Sequence, residues 1–293
     1  MNRFGIRSLV LWSWLSGLIL VAGVGWVIGF VVLHGFPAID LRLLFGSAPP
    51  WRALLGKVPV FNGLYPAVLG TVVLVVVAVG LAAPIGMAAG IYLAEFSRGR
   101  TKQALSLFFD VLAGIPSIVI GLFGFSLSIF LHRNVSPRLG PCLLISALAL
   151  AILVLPYLIR ATQTALEALP VEMRLTAVSL GADRIQNLWW VLLPNSLNGI
   201  VSGIILAIGR CAEDTAVILL TGVVATAGIP RSLFDSYEAL PFYIYYVSTQ
   251  YADAAELERG FGAALILLGV CLVLFAGALL IRHLVGDRAL IHG

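Results

Sequence analysis

Long apolar runs separated by short polar stretches dominate this chain. From Leu9 to Leu33 there are 25 residues without a charged side chain. Further runs extend from Pro66 to Ala94, Leu105 to Leu131, Leu139 to Ile159, Ser196 to about Val224, and Phe261 to Ile281. Each can form a helix long enough for a hydrocarbon layer of about 30 Å, which takes roughly 20 residues. The pattern predicts an all-α polytopic membrane protein with six transmembrane helices and both termini on one side. The first run follows Arg3 and Arg7, is too long for a signal peptide and has no evident cleavage site, so it is read as a retained helix.

Polar connections complete the plan. His34 to Tyr65 carries Asp40, Arg42, Arg52 and Lys57 with Pro37, Pro49, Pro50 and Pro59, and forms the first loop. Residues 225–260 form another, net acidic through Asp235, Glu238, Asp253, Glu256 and Glu258. Its LPFYIYYV segment is too short to span, so it is expected to be a surface or re-entrant element in which Tyr243, Tyr245 and Tyr246 meet the membrane edge or a docking partner. A third interruption is Arg160 to Pro194, charged and amphipathic between two apolar runs.

Composition agrees with this plan: 60% of the 293 residues are hydrophobic and 11% charged, where soluble domains carry about 25% charge. A net charge of +4, without a basic block, gives no support to nucleic-acid binding. Cys142, Cys211 and Cys271 are scattered in apolar runs, and His34, His132, His283 and His292 form no ligand spacing, so neither a disulfide framework nor a metal site is indicated. Basic residues orient the chain. Arg3, Arg7, Arg98, Arg100, Lys102, Arg160, Arg174, Arg184, Arg282 and Arg288 fall on one side. Arg42, Arg52, Lys57, Arg133, Arg138, Arg231 and Arg259 fall on the other, over longer loops. The first side is therefore read as cytoplasmic, with both termini and the 160–194 stretch.

Charge inside a span is costly and points to a path or a buried pair. Arg210 is such a residue, with Glu213 and Asp214 three and four positions on, within reach on a helix. A guanidinium matches the geometry of an oxyanion, yet full pairing with the two carboxylates would cancel its field, so a substrate path and a packing salt bridge both stay open. Asp110 has Lys102 and Arg160 as candidate partners. In the polar stretch, Leu175, Val178 and Leu180 can form an apolar face, and Gly181 either ends the helix or admits a partner backbone.

The segment TAVSLGADRIQNLWWVLLP, Thr176 to Pro194, resembles the cytoplasmic loop of ABC importer permeases: Gly181, nine residues, then Val191, Leu192, Leu193 and Pro194. GLYPAVLGTVVL, PIGMAAGIYLAEF, LAGIPSIVIGLFGF, LPYLIRATQTALEALP, GRCAEDTAVILLTG and ALPFYIYYV resemble the phosphate-import PstA branch, in order, over roughly residues 63–285. Leu175 stands where that family has a glutamate, with Glu172 nearby. Glu213 and Asp214 stand where it commonly has glycine and glutamate.

The resemblance implies a type I ABC importer permease-like fold with a coupling helix. Residues 1–62 would hold the first helix and outer loop, 63–285 the importer domain with its coupling loop at 160–194, and 286–293 a cytoplasmic tail. It implies that Glu172, Arg174, Leu175, Ala177, Val178, Gly181 and Ala182 serve ATPase coupling, while Arg210, Glu213 and Asp214, as charges within a span, are the candidates for the substrate path or its gating. A PstC-like permease, a homodimeric PstB-like ATPase and an extracytoplasmic PstS-like binding protein would be the partners, in a bacterial inner membrane. The chain has no GxxxxGK[ST] loop, so it would bind no cofactor and the partner ATPase would use ATP and Mg. Alternatives are a permease for molybdate or sulfate, a closed receptor or scaffold, and a membrane-embedded enzyme using Glu213, Asp214 or Asp110 as acid or base.

Overall fold

The computed structural model describes residues 3–54, 60, 63–136 and 140–291; Lys57, Pro59, Arg138 and His292 lie outside the described residues. The helices are α1 (Arg3–Gly35), α2 (Leu41–Phe45), α3 (Pro50–Leu54), α4 (Tyr65–Ile91), α5 (Gly99–Ala113), α6 (Ser117–Asn134), α7 (Leu143–Glu167) and α8 (Val171–Ser179). They continue as α9 (Arg184–Asn187), α10 (Leu193–Glu213), α11 (Thr215–Thr221), α12 (Leu240–Gln250) and α13 (Ala254–Ile291). Six stretches are long and apolar enough to cross a membrane: Val10–Ala38, Tyr65–Phe96, Ser117–Asn134, Leu143–Glu167, Arg184–Glu213 and Ala254–Leu280.

Helix α7 is the hub. Leu143, Leu150, Val154 and Leu158 are buried along it and join Leu74, Val75 and Ala78 of α4, Ala207 and Cys211 of α10, and Val217 and Ile218 of α11 in one apolar core. Lipid offers apolar side chains no less favourable surroundings than protein does, so tight packing needs small residues that bring backbones close. Gly90 shows this: a Cβ there would sit 2.6 Å from the Thr162 Cβ of α7. Gly203 of α10 likewise leaves no room for a Cβ beside Ala161.

Two expected boundaries are corrected. The run from Leu105 to Leu131 is not one span, because α5 stops at Ala113 and α6 starts at Ser117. Pro116 lacks an amide donor and pushes Ile115 out of the helical region, so the ladder breaks there. Among the described residues only α6 keeps span character in that run, while α5 is amphipathic with Leu107, Phe108 and Val111 exposed. The run from Ser196 to Val224 also divides. Asp214, in extended conformation, ends α10 and caps α11 by accepting the Val217 amide at 2.9 Å, the ordinary role of an N-cap aspartate. Helix α13 runs on through residue 286 to Ile291, so the segment expected as a tail is helical.

Helix α12 is short, as LPFYIYYV implied, and its start is fastened to α4: the Leu240 amide donates to Thr71 Oγ1 at 2.9 Å. The chain before α12 presses on α4 so closely that a Cβ at Gly70 would collide with the Glu238 carbonyl oxygen. Gly70→Ala is therefore expected to destabilise the chain by about 1–3 kcal/mol, visible as a lowered midpoint in thermal unfolding of the purified protein in detergent.

Candidate functional site

The C-terminal ends of α4 and α7 and the N-terminal end of α10 meet at one end of the bundle, where Leu166, Leu188 and Leu192 pack with Ile91, Ala94 and Leu169. Helix α8 hangs from this end. Its inner side is held by Arg174, whose guanidinium pairs with Glu95 at 2.6 Å and also donates to the Leu166 carbonyl oxygen. The Arg174 carbonyl accepts from Asn187 Nδ2 at 3.0 Å. Arg174 is thus an anchor within the chain. Glu95 and Asn187 went unrecognised in the sequence, although Glu95 was visible as a carboxylate closing an apolar run.

The outer side of α8 carries its exposed apolar residues, interleaved with Glu172, Thr176 and Ser179. Val171, Leu175 and Val178, at positions i, i+4 and i+7, share an exposed face, with Leu175 at 56% and Val178 at 47% exposure. Leu180 is exposed beyond them, and Glu172 also faces outward, while Ala177 and Ala182 are half-buried. Gly181 ends the helix at φ +88, with its amide on the Val178 carbonyl at 3.0 Å and the Ala182 amide on that of Ala177 at 3.0 Å. This paired arrangement closes the orphan carbonyls and calls for glycine. Its chain neighbours apart, no atom of the described residues lies within 4 Å of a Cβ placed there.

A polar network ties the same end to α5. Arg160 of α7 pairs with Asp110 at 2.6 Å and reaches Ser106 and Gln163, while Lys102 pairs with Glu167 at 2.6 Å. Asp110 therefore takes Arg160 as its partner, one of the two candidates.

Arg210 lies deeper. Gly199 of α10 sits against Ala165 of α7, and Gly203 against Ala161. Continuing this antiparallel register places Arg210 level with Val154, near the middle of α7. Its guanidinium pairs with Glu213 at 2.7 Å and lies 3.5 Å from Asp214. The two carboxylates differ: the Glu213 side chain is 65% exposed and that of Asp214 is 2% exposed. Asp214 is already engaged as the α11 cap, so Glu213 is the freer of the two.

The outward face of α10 below Arg210 is polar as well. Asn195, Asn198 and Ser202 are exposed along it, followed by Leu206 and then Glu213. Asn195 and Ser202 only donate back to their own helix, to the Val191 and Asn198 carbonyls at 2.7 and 2.8 Å. Such a stripe on a membrane span is unsuited to lipid and suits a partner or a wet path. Polar residues at i, i+3 and i+7 in an apolar run were the signal for it.

At the opposite end of the bundle a cavity of about 1440 Å³ opens between α2, the start of α4, α12 and the start of α13. Tyr243, Tyr246, Arg42, Arg259 and Glu238 line it. Glu238 accepts the Ala227 and Gly228 amides at 2.9 and 2.8 Å, and burial pushes its carboxyl above the usual range. Tyr245 is exposed on α12.

Residues 86–286 match the family described as binding-protein-dependent transport system inner membrane component. The chain belongs to this family. Among the relatives of this permease is the phosphate transport system permease protein PstA 1 of Mycobacterium tuberculosis (strain CDC 1551 / Oshkosh), 34% identical over 269 residues, 90% of this chain and 84% of that one. The phosphate transport system permease protein PstA of Haemophilus influenzae is 31% identical over 266 residues, 90% of this chain and 89% of that one. A chain of the inward facing MetNI methionine ABC transporter superposes with a TM-score of 0.55 at 18% identity, covering 81% of this permease and 99% of that chain. That likeness places the permease in the ABC importer fold.

Proposed function

We propose that this permease carries inorganic phosphate into the cytoplasm as one membrane subunit of an ATP-driven importer. The observation that supports this most is the polar face of α10, which leads from Asn195 to a guanidinium at mid-membrane. Arg210 would hold two oxygens of the anion in a planar fork. Glu213, exposed and freer than Asp214, would release Arg210 as substrate arrives and pair with it again afterwards. Asp214 would keep the α10–α11 break in place, so that the two segments can shift against each other.

The stripe is open on this chain, and a second, PstC-like permease would close the other side of the path. The apolar outer face of α8 would seat on one copy of a homodimeric PstB-like ATPase, which supplies the ATP and Mg chemistry; this chain would bind neither. Both termini and α8 would then face the cytoplasm. The cavity at the other end would receive phosphate from a PstS-like extracytoplasmic binding protein. Closure of the ATPase would move α8, and the Arg174–Glu95 pair would carry that movement into α4.

The test is ATP-driven uptake of labelled phosphate by the assembled complex in proteoliposomes. Uptake is expected with phosphate and with little competition from sulfate or molybdate. Transport of either competitor in preference to phosphate would overturn the substrate assignment while leaving the importer reading intact.

A further inference from the structure

A second, smaller cavity of about 170 Å³ lies at the root of α8, bounded by Glu95, Arg98, Arg174, Arg184 and Asn187. It is several times the roughly 30 Å³ share of a water molecule and below the roughly 300 Å³ at which drug-sized pockets begin. It is therefore sized for a small ion or a lipid headgroup rather than a nucleotide.

Its charge is unbalanced. Three guanidinium groups face one carboxylate, and Glu95 is already paired with Arg174 at 2.6 Å. Neither Arg98 nor Arg184 has an ion-pair partner among the described residues. They approach from different elements, Arg98 from the link between α4 and α5, and Arg184 from the first turn of α9. Both are solvent-exposed, so water tempers their mutual repulsion, and together they leave a positive field over the cavity that an anion would neutralise.

One lining residue, Asn187, also carries an unmet polar atom. Asn187 Oδ1 is buried without a hydrogen-bond partner, although its amide donates to the Arg174 carbonyl, and so is Ser97 Oγ, between two lining residues. Buried polar atoms left so are uncommon and mark a site that a ligand or water completes. A phosphate monoester or hydrogen phosphate offers oxygens to guanidinium and, in its protonated forms, a P–OH donor to an acceptor such as Oδ1.

We propose that this pocket binds a phosphate-type oxyanion, either free inorganic phosphate or the phosphomonoester headgroup of an anionic lipid. An occupant spanning Arg98, Arg174 and Arg184 braces the α8 segment against the end of α4. Its occupancy then sets how rigidly movement of α8 passes into the bundle. The proposal stands apart from the transport reading, since the pocket lies at the bundle end and Arg210 at mid-depth.

The test uses the full-length chain carrying Arg210→Gln, so that the mid-membrane guanidinium contributes nothing, in nanodiscs of phosphatidylcholine. Calorimetric titration with inorganic phosphate is expected to show one saturable site. Adding Arg98→Gln and Arg184→Gln, both exposed positions that leave the fold intact, is expected to weaken it by about tenfold or more. Adding Arg133→Gln, a surface arginine elsewhere, leaves it unchanged. In a second arm the discs contain phosphatidic acid and bound lipid is counted by native mass spectrometry. One lipid retained by the Arg210→Gln chain, lost with the Arg98 and Arg184 changes, and excluding phosphate assigns the site to the headgroup. Absence of saturable binding in both arms, or binding indifferent to Arg98 and Arg184, overturns the proposal.

Discussion

Arg210→Gln is expected to lower ATP-driven phosphate uptake by roughly 10- to 150-fold, the equivalent of one charge-assisted hydrogen-bonding group worth about 1.5–3 kcal/mol. The chain should still reach the membrane in normal amounts. Its pair with Glu213 joins positions three apart on one helix, with the carboxylate 65% exposed, and exposed helical pairs contribute only about 0.3–0.5 kcal/mol. Asp214 loses a neighbour but keeps the Val217 amide at 2.9 Å, which is the bond that holds its buried carboxylate. Uptake in proteoliposomes, normalised to folded protein by size-exclusion chromatography, separates the two roles. A variant that no longer yields folded protein would assign Arg210 to packing instead. Arg210→Lys sharpens the result, because it keeps the charge and loses the fork.

Replacing Leu175 and Val178 together by aspartate is expected to detach the ATPase. Both side chains are exposed on the outer face of α8, so the chain alone should fold and insert as before. Burying two carboxylates in an apolar seat costs several kcal/mol unless they are paired, and a loss of about 3 kcal/mol already weakens association by a factor of about 150. Co-purification of the ATPase with the permease should be lost, together with uptake. Retention of both would show that this face meets lipid. The departure at Leu175 is informative here. Where the family has a glutamate, this chain carries leucine within an apolar stripe that runs from Val171 to Val178. On the proposed reading leucine at this position enlarges the apolar face, and docking of the ATPase would rely more on burial and less on charge.

Several features were legible because they are local. Whether a stretch can cross a bilayer depends on its own side chains, and six spans were countable from hydropathy. The shortness of α12 and the break at Gly181 were visible for the same reason: one is a matter of length, the other of a residue that tolerates φ +88. Arg210 stood out as a charge in an apolar run, and its carboxylates lay within one turn. The ordered motifs around it pointed to the family before any coordinate was known.

What failed to show in the sequence depended on distant partners. Arg174 looked like one of several surface charges on a coupling loop, yet it is fixed by Glu95, 79 positions earlier. Arg160 looked like the start of that loop, yet it belongs to α7 and closes on Asp110, 50 positions away. Glu213 and Asp214 were alike as neighbouring acids, and only the fold made one an exposed partner of Arg210 and the other a buried helix cap.

By itself, then, the sequence determined that this is a six-span helical membrane protein with a polar element between its fourth and fifth spans, since exclusion of charge from hydrocarbon acts residue by residue. Only the tertiary structure decided which face of α8 is free, which carboxylate answers Arg210, and where three arginines converge beside Glu95. Those outcomes depend on which helices come together and in what register, and packing of small residues at Gly90 and Gly203 sets that register.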